Sequence, residues 1–318
     1  SVTVDAVTRA DGRTVRYYRT SETLSVKPEV SVVTGVDGYV GRAVAQALLR
    51  AGQAVVGLAA QLTPAVTPLM TYLGSAGFAP AWEAIASAHR VRAIYHCARL
   101  PEPPVPDGDV AAYYHVHVTE TLAMLSRWTR ATMPPLLLLS STAVSASPPA
   151  TASAWIQSLQ AEENLVASLC HRWVALRVAE VVGPDDLGRV ADGPDRPWAR
   201  LAEGGATRTS IRDVVPMRDY VSLADVADAF VRAGRFLAAG GASQALNVGS
   251  GHNTPLEAVA EAFGQRTADV AVRWDRAAHA PQAARQWDWR PHAINLEEMA
   301  EASVHAVRQM AGTGGDGS

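Results

Sequence analysis

Lysine is almost missing from this chain. Lys27 is the single one among 28 basic side chains, so beyond it every positive charge of that kind is arginine. Chemistry that needs a lysine amine after residue 27 is therefore excluded. Tyrosine is absent between Tyr114 and Tyr220, and no charged residue lies between Arg50 and Glu83. Cysteine is scarce as well. Cys97 and Cys170 are the only two, with no metal-ligand spacing between them, which argues against a disulfide-stapled domain or a zinc module. No apolar run approaches the ~20 residues of a bilayer-spanning helix. The opening residues, "SVTVDAVTRADG", lack the charged-then-apolar layout of a signal peptide, so a cytoplasmic protein is the expectation. The formal net charge of −3 gives no support for nucleic-acid binding.

What is present is a core. Hydrophobic residues make up 48 % of 318, too many for a disordered chain. Residues 1–27 read as an appendage, two β-prone runs around the turn signal Ala-Asp-Gly, most simply an edge hairpin packed on the main sheet. From Glu29 short apolar strands alternate with helices: "EVSVVTG", "YVGRAVAQALLRAG", "QAVVGLAA", "RVRAIYHCA", "VAAYYHVHVTETLAMLSRWTR", "PPLLLLSSTAV", "TASAWIQSLQAEENLVASLC", "RWVALRVAEVVGP". That beat predicts an α/β fold, a Rossmann-like doubly wound parallel sheet over 28–180. A smaller C-terminal substrate lobe is expected over 181–310, interleaved with the first, and a disordered tail over 311–318.

"VVTGVDGYVGRAV" sets Gly35, Gly38 and Gly41 between a strand and a helix, the layout that brings backbone and a helix N-terminus to a pyrophosphate. Arg42, next in line, is a candidate for the same group. The spacing resembles that of the extended short-chain dehydrogenase/reductases, the NAD-dependent epimerase/dehydratase family, UDP-sugar 4-epimerases above all. "AIYHCARLP", "LLLLSSTAV", "LRVAEVVGP", "MRDYVSLADVADAFVRA", "ALNVGSG" and "RQWDWRPHAINLEE" resemble further family stretches in order. The resemblance implies NAD(P) as cofactor, a small-molecule substrate, and a homodimer through helices near 110–130 and 154–171.

It also implies a catalytic Tyr-x-x-x-Lys pair, and this chain departs there. The matching positions hold Trp155 and Leu159, while Ser158 and Glu163 keep the surrounding pattern. Thr142 matches the residue that polarises the substrate. His117 stands for an asparagine, Glu120 for a glycine, and Glu180 for an asparagine that helps hold a diphosphate. A carboxylate ~4 Å from a phosphate charge would cost on the order of 4 kcal/mol at an effective dielectric of ~20. The acid expected ~20 residues past the glycine loop is missing, and so is the family's aspartate beside the adenine.

These departures suggest non-redox proton transfer (isomerisation, cyclisation or elimination) on a small, natural-product-like molecule. Thr142 would polarise an oxygen, and His117 and Glu180 would move the proton. His96, Trp155, Leu159 and Arg218 are the expected pocket wall, with Trp155 able to stack on a flat ligand. Two other readings stay open: a nucleotide-sugar epimerase or dehydratase with substitute proton carriers, and a non-catalytic protein that binds a ligand or an active homologue.

Overall fold

The computed structural model describes residues 2–8, 14–20, 27–61, 70–101, 109–146, 152–191, 197–203, 217–264, 289 and 295–313. Strands β1 (Val2–Thr8) and β2 (Thr14–Thr20) pair antiparallel from Val2↔Thr20 to Thr8↔Thr14. They form a sheet of their own and are not an edge of the main one. The Ala-Asp-Gly turn lies outside the described residues.

The main sheet has seven strands: β3 (Glu29–Thr34), β4 (Val55–Ala59), β5 (Met70–Leu73), β6 (Arg90–His96), β7 (Leu136–Ser141), β8 (Trp173–Val178) and β11 (Gln244–Val248). Their order is β11-β8-β7-β6-β3-β4-β5, and every pairing is parallel. This is the doubly wound, Rossmann-like arrangement expected from the alternating strands and helices. A strand buried on both faces has to be apolar throughout, and alternate residues then serve opposite cores. Leu137 and Leu139 pack with α1 (Tyr39–Arg50) and α8 (Leu223–Ala238), around Val44, Leu48, Val226 and Phe230. Leu136 and Leu138 face the other way, against Trp82 and Ile85 of α2 (Ala79–Ala88) and Val166 of α6 (Ala154–Leu169).

Three short strands make a second, smaller sheet, ordered β12-β10-β9: β9 (Glu180–Val182), β10 (Met217–Ser222) and β12 (Asn253–Pro255). Its own core gathers Val182, Trp198, Tyr220 and Val259. The C-terminal helix α10 (Leu296–Thr313) continues through Ala311–Thr313, three residues into the segment expected to be a disordered tail; residues 314–318 lie outside the described residues. Of the "RQWDWRPHAINLEE" stretch, Trp289 is buried in the main core.

The sheet order reverses between β3 and β6, which is where an open α/β sheet forms its ligand crevice. The glycine loop lies at that point. Gly35 has φ +68°, and a methyl group on it would lie 2.7 Å from the Ala98 backbone. A methyl group on Gly41 would run into the Gly35 carbonyl oxygen, whereas one on the exposed Gly38 would lie 3.1 Å from the same oxygen. Gly41→Ala is therefore expected to destabilise the fold by more than about 2 kcal/mol, and Gly38→Ala by less than Gly41→Ala, in urea unfolding.

Candidate functional site

Three strand ends and one helix build the crevice wall. The helix after β6 starts as α3 (Val110–Tyr114), passes through a π-helical segment (His115–Glu120), and returns to regular geometry as α4 (Thr121–Leu125). The wide turn rotates its residues apart. His117 is buried at 0 % exposure, while His115 points outward, as its offset from His117 on the helix predicts.

Both ring nitrogens of His117 are in use. The Leu100 backbone N–H donates to Nε2 at 3.2 Å, so the proton resides on Nδ1, which bonds the Ser158 hydroxyl at 2.8 Å. Ser158 in turn donates to the Trp155 carbonyl at 2.7 Å. The Trp155 indole N–H donates to the Leu100 carbonyl at 3.0 Å. The four groups form a closed ring, and Leu100 has both its peptide groups held by it. Burial, helped by the charge of Arg99, lowers the His117 pKa to about 3. This imidazole is neutral and enclosed, with no nitrogen left to take a proton from a ligand. The general-base role expected for His117 is corrected on that ground.

Trp155 and Leu159 are 2 % and 0 % exposed and pack with Tyr113 and Val144. They form a small core, not the pocket wall expected of them. One face of the indole is covered by the Arg99 guanidinium, 5.9 Å from the ring centroid, whose Nη1 donates to the Ser140 carbonyl at 3.1 Å. His96 is not a wall residue either. It is buried between the Thr34 hydroxyl (2.7 Å) and the Thr121 hydroxyl (2.8 Å), with Glu162 Oε1 at 3.2 Å from Nε2. Thr121 donates to the same Glu162 oxygen, and burial raises the Glu162 pKa. Thr34 also accepts the Cys97 and Ala98 amides, so this network ties the end of β3 to that of β6.

Thr142 stays partly exposed at the end of β7, its amide donating to Val178. Glu180 opens β9, and Arg218 Nη1 donates to its Oε2 at 3.2 Å. Thr142 follows the end of β7 and Glu180 begins β9, two residues past the end of β8, while His117 is held in its own enclosed network. Asp219 accepts the amides of Ser250 and Gly251.

Arg42 is paired with the loop after β9. Its guanidinium grips Asp186 through Nε (2.5 Å) and Nη2 (2.7 Å), and the hydrogen bond to Asp186 raises its pKa. The same loop sends Arg189 to the Asp37 carbonyl (2.8 Å) and the Gly38 carbonyl (3.3 Å), while the Tyr39 hydroxyl donates to the Gly183 carbonyl. The segment after β9 thus fastens onto the glycine loop from outside. Among the described residues no cluster of His, Cys, Asp and Glu could hold a metal, and no helix is long and apolar enough to cross a membrane.

The profile of the NAD dependent epimerase/dehydratase family matches residues 31–249. The chain belongs to that family. It is 30 % identical over 267 residues to the UDP-glucose 4-epimerase of Azospirillum brasilense, covering 72 % of this chain and 74 % of that protein. It is also 30 % identical over 209 residues to that of Rhizobium meliloti (strain 1021), where the match spans 56 % of this chain and 63 % of the relative. Among solved structures, the fold resembles the UDP-glucose-4-epimerase from Stenotrophomonas maltophila with bound NAD and formylated UDP-arabinopyranose. The TM-score is 0.73 at 22 % identity, over 89 % of this chain and 99 % of that one. The Brucella ovis UDP-glucose 4-epimerase in complex with NAD gives 0.70 at 23 % identity, over 88 % and 98 %. At such identities the likeness speaks to the fold.

Against the family's cofactor the residues fit in part. The exposed Gly38 at the N-terminus of α1, with no side chain capping that helix, suits a diphosphate. Trp155 and Leu159, which stand where the resemblance implies the tyrosine and lysine, are packed in the small core. Sequence reasoning missed Arg99 and the ring through Leu100. Arg99 directly follows the His-x-Ala motif, and a charged residue at that place was a usable signal.

His117→Phe, which keeps the volume and removes both hydrogen bonds, is expected to cost on the order of 1–3 kcal/mol at pH 7.5. The wild-type imidazole charges at 6.5 when unfolded and near 3 when folded. Its contribution is therefore complete above pH 6.5 and falls by about 1.4 kcal/mol per pH unit on going down towards 3. Urea titrations at pH 7.5, 6 and 5 should show that slope in the wild type and its loss in the variant. Trp155→Phe should couple to it non-additively, because both side chains hold the Leu100 peptide.

Proposed function

We propose that this chain is a dinucleotide-binding member of the epimerase/dehydratase family that does not carry out hydride-coupled epimerisation. The observation that carries the reading is the closed ring of Leu100, His117, Ser158 and Trp155 at the position of the family's proton relay. A bound NAD supplies a hydride acceptor to an enzyme of this family. Using it on a sugar hydroxyl requires a base to take the hydroxyl proton, and neither the indole nor the enclosed imidazole has that capacity. What the chain's own residues do is bind: Gly38 and the start of α1 receive the diphosphate, and the loop carrying Asp185, Asp186 and Arg189 holds that binding loop rigid. In the presence of NAD and UDP-glucose, NMR of the sugar should show no UDP-galactose. NAD-dependent conversion would overturn the proposal.

One observation favours a second reading. Thr142 follows the end of β7 and stays partly exposed, and Glu180, paired with Arg218, begins β9 two residues past the end of β8, the strand beside β7. Non-redox proton transfer on a small, natural-product-like molecule would then depend on Glu180, without His117, and be indifferent to added NAD.

We also propose a homodimer through the helices near 110–130 and 154–171. Val110, Tyr114, Leu122 and Leu169 are exposed large apolar side chains on those helices, and a second copy packed there would take them out of water. Light scattering should give twice the chain mass for the wild type and a shift to monomer for Leu122→Glu. A monomeric wild type would remove the interface.

A further inference from the structure

Between Arg50 and Glu83 there is no charged residue, so β4 and β5 end without an acid of their own. In space both strand ends have one. Asp37, carried by the glycine loop, extends to the end of β4, where its Oδ2 accepts the Gln61 amide at 3.0 Å, two residues past Ala59. Glu120, the last residue of the π-helical segment, extends to the end of β5, where its Oε2 accepts the Ser75 hydroxyl and the Gly77 amide. Two acids missing from the local sequence are thus replaced from remote positions, each bonded to the loop that follows its strand.

We infer that Asp37 takes the adenosine ribose hydroxyls of the bound dinucleotide and restricts the site to NAD over NADP. The end of the second strand is where a doubly wound fold meets that ribose, and a carboxylate there accepts hydrogen bonds from free 2′- and 3′-hydroxyls. It repels a 2′-phosphate, which carries close to two negative charges. Asp37 is partly exposed, and only its Oδ2 is engaged among the described residues. The loop's other contacts leave this carboxylate alone. Arg189 takes the Asp37 and Gly38 carbonyls from the outer side and pairs through Nε with Asp185 at 2.7 Å. Glu120 adds a second negative group at the same end of the crevice.

The inference rests on the reading that the ADP half is bound, and the test separates the two. NAD, NADP and ADP-ribose are titrated calorimetrically into the wild type and into Asp37→Asn. The substitution keeps the size and an acceptor for the Gln61 amide, and its unfolding midpoint is checked first. The wild type should bind NAD and ADP-ribose about equally and NADP at least about tenfold more weakly. Asp37→Asn should weaken NAD and ADP-ribose by roughly tenfold, the worth of a hydrogen bond to a charged group, and bring NAD and NADP to within about twofold. Equal binding of NAD and NADP by the wild type, or a preference that survives the substitution, overturns the assignment to Asp37 alone. Failure of all three ligands to bind overturns it together with the dinucleotide-binding reading.

Discussion

The Leu100 peptide is the constraint on which this crevice turns. It lies four residues past the end of β6, where a chain that has left a parallel sheet has no strand partner for its N–H and C=O. Left without partners in this part-buried place, each group would cost up to about 1–3 kcal/mol. His117 takes the N–H and Trp155 takes the C=O, and Ser158 closes the circuit behind them. Every consequence for chemistry comes from this. The imidazole must stay neutral to accept from Leu100. The indole must lie flat in the small core to reach the carbonyl. Neither is then available to a ligand. His117 and Trp155, which look like two unrelated departures from the family pattern, are two halves of one structural device.

A second tie works on the other side of the same switch point. The segment after β9 reaches back to α1 and the glycine loop through Arg42–Asp186, Arg189 and the Tyr39 hydroxyl. Asp185 organises that segment internally, accepting the Leu187 and Arg189 amides as well as the Arg189 guanidinium. A glycine loop is the least constrained backbone in such a fold, and one held from outside loses less entropy when it receives a ligand. The glycine loop is therefore held by contacts from the segment after β9, and the part of the crevice wall beside Leu100 is closed by its own hydrogen-bonded ring.

The fold was legible because it is written in local pattern. Strands such as "LLLLSS" are apolar at every position, which a parallel sheet covered on both faces requires, and the helices between them are short and regularly spaced. The site was legible only where function follows from residue identity. That no tyrosine lies between Tyr114 and Tyr220 and no lysine after Lys27 was plain. The roles of His117, Trp155 and Arg42 were not, because each depends on a partner distant in sequence: Leu100 at 17 residues, Leu100 again at 55, Asp186 at 144. A histidine reads as a base until the amide that needs its lone pair is known. The π-helical turn that buries His117 also leaves no mark in hydrophobic spacing.

The acids of the adenosine end show the same limit in reverse. A search along the sequence looks for an acid where the second strand ends and finds alanine. The physical requirement is only that a carboxylate be at that point in space, and a glycine loop folded against the strand end meets it from 22 residues upstream in Asp37. Glu120 does the same at the next strand end from a helix 45 residues downstream of Ser75. Charge at a binding site is conserved by position in the fold, while the chain position that supplies it is free to move. The reverse holds for the proton relay. A tyrosine phenol and a lysine amine act through atoms that must reach one bond of the substrate, and the residues now at that place are committed to holding Leu100. A carboxylate for binding can be supplied from another chain position, whereas a proton relay cannot be moved away from the bond it serves.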